Sequence, residues 1–140
     1  MSKTLKGVYE VKNPEKYTGN TLPFYRSSWE LTFMRWCDNN PSIVEWLSEG
    51  IRIPYFNPVS NKQSIYVPDF FITLVDKHGN KRTELIEVKP KKETFLEHAK
   101  SKRDKYRLAV NAAKWKAAVN FCDRNGIKFR IITEDDIYGR

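Results

Sequence analysis

The sequence has 140 residues, 40% of them hydrophobic and 30% charged, with a formal net charge of +8. That apolar share excludes a disordered chain, and the length suits a single domain with its own core. The excess of Lys and Arg favours an anionic partner, nucleic acid being the commonest, over the plain alternative of solubility.

Cys37 and Cys122 lie far apart, and neither sits in a CxxC pair or at zinc spacing from a histidine. A disulfide scaffold and a structural zinc site are therefore excluded, and both thiols are expected free in a reducing compartment. No stretch reaches the ~18 apolar residues of a membrane span, and the N-terminus has no signal-peptide apolar region. The expectation is a protein without membrane attachment, acting in a cytosol or in a particle assembled there.

We expect one domain over 1–140, with an arm at 1–23 and a core at 24–133. The arm interleaves Lys3, Lys6, Lys12 and Lys16 with Tyr9 and Tyr17 and holds a short strand at Gly7–Val11. It suits either a nucleic-acid backbone or packing on the domain. Ser27-Ser28-Trp29-Glu30 fits a capping box that starts a helix running to about Asn39, with Pro41 beyond it. Glu30, Phe33, Met34 and Cys37 share one face of that helix.

Ile43 to Phe56 reads as extended, broken near Ser48–Gly50, and Asn57 to Ser64 reads as a turn. Tyr66 to Val75 is the second predicted strand. Gly79-Asn80 marks a hairpin, and Thr83 to Lys89 is the third strand. Pro90 to Lys105 is strongly basic. From about Tyr106 the pattern turns helical, with Val110, Ala113, Ala117 and Phe121 in one stripe, joined by Ala118 and Cys122. Gly126 stops this helix, and Ile127 to Thr133 is a last strand beside an earlier one.

The stretch Tyr66–Pro90 carries the chemistry. Side chains alternate along a strand, so Glu87 and Lys89 share a face and Val88 takes the other. Pairing the two strands brings Asp69, after Pro68, towards Glu87 and Lys89. Two carboxylates and an amine converging at one sheet end suit a bound divalent cation. The plain alternatives are a turn residue at Asp69 and a surface ion pair between Glu87 and Lys89. Glu30 is equally a capping partner of Ser27.

Pro68-Asp69…Glu87-x-Lys89 resembles the Pro-Asp…(Asp/Glu)-x-Lys signature of the restriction-endonuclease-like nuclease superfamily. The predicted order, αβββαβ, is similar to the α/β core of that superfamily, a central mixed sheet flanked by helices. Three runs, Phe24–Glu30, Tyr66–Phe70 and Ile86–Pro90, resemble the head completion nucleases of T-even-type phages. They also resemble the endonuclease subunit of heteromeric cut-and-paste transposases.

The resemblance implies a Mg2+-dependent deoxyribonuclease, with Mn2+ able to substitute and no small-molecule cofactor. By position it makes Glu30, Asp69, Glu87 and Lys89 catalytic. Glu30, Asp69, Glu87 and the Val88 carbonyl become metal ligands. It also implies double-stranded DNA as substrate, phage head or portal proteins as partners, and action in the virion and host cytoplasm.

Arg26 and Tyr25, just before the helix, and Lys91 and Lys92, just after the third strand, are candidate DNA contacts or solvated surface. Lys114 and Lys116 are weaker candidates. His78 and His98 have no partner at ligand spacing and receive no role. Lys89 is suited to orienting water, stabilising the phosphorane or acting as a base. Two other functions keep the same surface. One is a non-catalytic DNA-end-binding head protein, and the other is a transposon or restriction-type endonuclease working with a partner.

Overall fold

The computed structural model describes residues 5–94 and 101–138, apart from the side chains of Lys92, Thr94 and Tyr138. In chain order the elements are β1 (Gly7–Val8), β2 (Phe24–Tyr25), α1 (Ser28–Asn39), β3 (Ile43–Ser48), β4 (Ile53–Asn57) and β5 (Lys62–Tyr66). Then come β6 (Phe70–Val75), β7 (Lys81–Val88), a 3-10 turn (Lys91–Thr94), α2 (Lys102–Asn125), β8 (Lys128–Ile132) and α3 (Glu134–Tyr138).

The central sheet has the order β3-β6-β7-β8. β3, β6 and β7 pair antiparallel, and β8 joins β7 in parallel after the α2 crossover. This is the α/β fold with a mixed sheet and flanking helices that the sequence predicts. Strand alternation sends Phe70, Ile72, Ile86 and Val88 to one face, where they meet Phe33, Met34 and Cys37 of α1. Leu85 and Phe71 turn to the other face and meet Ala118 and Cys122 of α2. Trp46, fully buried, anchors the first of these layers. Among the described residues no helix is long and apolar enough to cross a membrane.

Local chemistry sets the ends of the elements. The Ser27 hydroxyl accepts the Glu30 N–H at 3.1 Å and starts α1. Ser101 caps α2 in the same way through Asp104, and Gly126, at φ 68°, ends it in the left-handed region. In the β6–β7 hairpin the Asp76 carboxylate accepts the N–H groups of His78 and Asn80, at 2.8 and 2.9 Å. Gly79 supplies the positive φ of 82° that the turn requires.

Four expectations change. The predicted turn Asn57–Ser64 is only the tip of a hairpin, β4–β5, that pairs apart from the central sheet. The Asn57 side chain folds the tip by accepting from Val59 and Ser60, and Asn61 takes the left-handed conformation. Tyr66 therefore belongs to β5, and the next central strand begins at Phe70. Pro68 between them has no N–H to give a ladder. Helix α2 starts before Tyr106, and the arm strand expected at Gly7–Val11 spans only Gly7–Val8.

The arm packs on the domain. Buried Tyr9 donates its hydroxyl to Asp38 at 2.6 Å, and Asp38 also accepts the N–H groups of Lys12 and Asn13. Lys16 spends its ammonium on the carbonyls of Asp38 and Asn40, at 3.0 and 2.8 Å, where the end of α1 carries negative charge. Tyr17 meets Trp46 edge-on and bridges to the free side of β3. The side chains of Tyr9, Tyr17 and Lys16 thus serve the fold.

Candidate active site

The site forms where β6 begins and β7 ends. Asp69 directly precedes β6, and its Oδ2 accepts the Val88 N–H at 2.8 Å. That bond reaches across the sheet and seats one acidic group beside the strand that carries the next. Glu87, buried, lies on the α2 side of β7, in the same parity as Leu85. Lys89 follows on that face, with Nζ 3.7 Å from Glu87 Oε2. The Lys89 N–H bonds to the Ile132 carbonyl, which fixes the strand end against β8.

Glu30 approaches from α1. Its Oε1 accepts the Arg26 N–H at 3.1 Å, so the capping role is real, although its backbone target precedes the N-cap by one residue. Its charge also reaches Asp69 and Glu87.

The electrostatics are those of crowded carboxylates. Burial first, then the charges of Glu87 and Glu30, pushes the Asp69 carboxyl well above the usual carboxylate range; the Val88 N–H and Lys89 oppose the rise. Burial also raises Glu87, against the opposing pull of Tyr66, Lys89 and Lys114. Glu30 is raised by burial, with Arg26 opposing. Among the described residues, no three His, Cys, Asp or Glu side chains close into a ready cation cage. The assembled unit is the pair Asp69–Glu87 with Lys89, and Glu30 adds its charge from α1.

Two side chains outside the motif complete the site. The buried Tyr66 hydroxyl donates to Glu87 Oε1 at 2.8 Å. Burial and the Glu87 charge push its pKa far up, so it stays a donor. Lys114 of α2 sets its Nζ 5.6 Å from the centre of the Tyr66 ring. Sequence reading gave Tyr66 no role and ranked Lys114 low. The available signals were Tyr66 three residues before Asp69, and Lys114 one turn before buried Ala118 on the same helix.

The candidate DNA contacts are dispersed. Arg26 pairs with Glu49 and lies over the Phe24 ring. Tyr25 is a half-buried strand residue paired with Gly7. Lys91 pairs with Asp135 at 2.9 Å, and its N–H bonds to Glu134. The Lys92 side chain and all of His98 lie outside the described residues. A cavity of about 270 Å³ between α1 and α3 is lined by Phe33, Trp36 and Ile137, and none of the site's carboxylates faces it.

Residues 40–134 match the family model described as TnsA-like endonuclease N terminal. That span holds Asp69, Glu87 and Lys89 and leaves out Glu30. The chain is also 40% identical, over 142 residues, to the head completion nuclease of Enterobacteria phage T4; the alignment covers 94% of this chain and 92% of that protein. With the family match running across every strand of the central sheet and a nuclease aligned almost end to end, this chain belongs to the TnsA-like endonuclease family and is a nuclease of the head completion kind.

Proposed function

We propose that the protein is a Mg2+-dependent deoxyribonuclease that processes double-stranded DNA at the phage head during head completion. The observation that carries the reading is half-buried Asp69 beside buried Glu87, with Lys89 on the same strand face as Glu87. Two carboxylates at one sheet end, both raised by burial and Asp69 further by the Glu87 charge, make a hard-oxygen donor set whose crowding a divalent cation relieves.

The donor set fits Mg2+, which keeps several waters and needs few protein ligands. Asp69, Glu87 and the Val88 carbonyl would hold it, with Glu30 as a further oxygen donor. Bound there, the ion would offset phosphate charge and acidify a water. Mn2+, with the same taste for oxygen, would substitute.

Lys89 adds a positive charge beside Glu87, placed to meet the charge that builds on a phosphodiester under attack. The excess of basic residues supports DNA as the substrate. The relative's name supports the setting, which we place in the virion and the host cytoplasm, with head or portal proteins as partners.

The test uses the purified chain on linear and circular duplex DNA, with Mg2+ or EDTA, beside Asp69→Ala. Cutting that needs the ion and disappears in the variant is the expected result. A preference for linear DNA would mean that ends are required. Salt-sensitive DNA binding without cutting, alike in both proteins, would replace the reading with a structural end-binding protein.

A further inference from the structure

Glu87 is held from behind. Its Oε1 takes the Tyr66 hydroxyl at 2.8 Å, while its Oε2 lies 3.7 Å from Lys89 Nζ. The two oxygens therefore have different surroundings. Tyr66 is itself fixed: it pairs with Ile53 across the β4–β5 hairpin and packs with Leu85, Ala118 and Cys122. Lys114 lies over its ring.

We propose that Tyr66 is a positioning residue for the cation site, its hydroxyl holding Glu87 so that Oε2 is the oxygen presented to the ion. This rests on the reading of Asp69 and Glu87 as metal ligands. An unrestrained glutamate would have to be ordered when the ion arrives, and an outer hydrogen bond removes that cost in advance. The hairpin thus carries the support of one ligand on the segment that runs directly into the other, Asp69.

The experiment is calorimetric titration of the full chain with Mn2+ and with Mg2+, for wild type, Tyr66→Phe, Lys114→Met and Asp69→Ala. Tyr66→Phe keeps the ring and its packing, and circular dichroism in EDTA checks that it folds. The expected result is metal affinity about tenfold weaker in Tyr66→Phe, with kcat approaching the wild-type value once metal saturates. Lys114→Met removes a competing positive charge and keeps the hydroxyl, so it is expected to bind metal at least as tightly as wild type.

Wild-type affinity in Tyr66→Phe would overturn the proposal. So would an equal loss in Lys114→Met, which would assign the effect to packing over the ring; this variant decides the matter if Tyr66→Phe does not fold. If wild type binds neither ion, this assignment falls together with the metal reading. Binding lost in Asp69→Ala but intact in Tyr66→Phe removes this assignment alone.

Discussion

Asp69 Oδ2 and the Val88 N–H are joined by a 2.8 Å hydrogen bond, so one acidic side chain of the site is anchored to the backbone between Glu87 and Lys89. Movement of β6 against β7 would have to break that bond. The bond holds Asp69 next to a charge of its own sign, where burial already disfavours ionisation.

Asp69→Asn should therefore separate stability from activity. The amide oxygen still accepts from Val88, and the repulsion with Glu87 is gone. In EDTA we expect the variant to be more stable than wild type by on the order of 1 kcal/mol, read from urea unfolding. Its DNA cleavage should fall by roughly 10³-fold or more. Lower stability in EDTA would show that the pair does not repel as described.

Lys89→Ala should leave metal binding intact, because the ammonium next to Glu87 Oε2 competes with a cation for that oxygen. Cleavage at saturating Mg2+ is expected to drop about 10²-fold. A matching drop in metal affinity would make Lys89 a support for the ligands rather than a group that acts on the phosphate.

Asp38 gives the arm a pH dependence. Burial alone would raise its pKa, but bonds from Tyr9, Lys12 and Asn13 prevail and hold it below 3.8. A depressed carboxyl adds stability above its unfolded pKa and loses it as pH falls through the folded value. The arm should thus stay docked at neutral pH and loosen only below about pH 3.9, detected as early proteolytic cleavage before Ser27. Asp38→Ala strands the buried Tyr9 hydroxyl and the part-buried N–H groups of Lys12 and Asn13, and should cost about 3 kcal/mol at pH 7.

Glu84 is only 2% exposed and is shared by Arg82 and Arg130, each at 2.9 Å. Either arginine alone keeps the carboxylate paired, so each Ala substitution should cost less than about 1 kcal/mol. Removing both leaves a buried charge without a partner, and the double variant should exceed the sum by roughly 1–2 kcal/mol. Additive losses in chemical denaturation would mean that Glu84 finds another partner.

Features encoded within a few residues were readable from the chain. Ser27 with Glu30, Gly126 and the alternation of Glu87, Val88 and Lys89 all act locally, and they placed α1, the end of α2 and the three-residue motif. The hairpin β4–β5 was not readable. Its second strand, Lys62–Tyr66, is mostly polar on its outer positions, and its pairing is decided by packing of Ile53, Tyr55 and Tyr66 under α2. The partners of Arg26, Lys91 and Lys16 were equally hidden. Glu49, Asp135 and the carbonyls at the end of α1 are distant in sequence, and a count of charges says nothing about which are already spoken for.

Ser48 and Phe70 are paired neighbours in the central sheet, and just beyond them the Glu49 N–H bonds to the Asp69 carbonyl at 3.0 Å. Everything from residue 50 to 68 leaves and returns through that neck. The sheet consequently has no stake in the length of what lies beyond it, because closing a longer loop at a fixed neck costs only about 0.6 kcal/mol per doubling. The hairpin is a cassette: its tip around Val59 can be lengthened or exchanged while Asp69 and Glu87 keep their places, provided that the returning strand still delivers Tyr66.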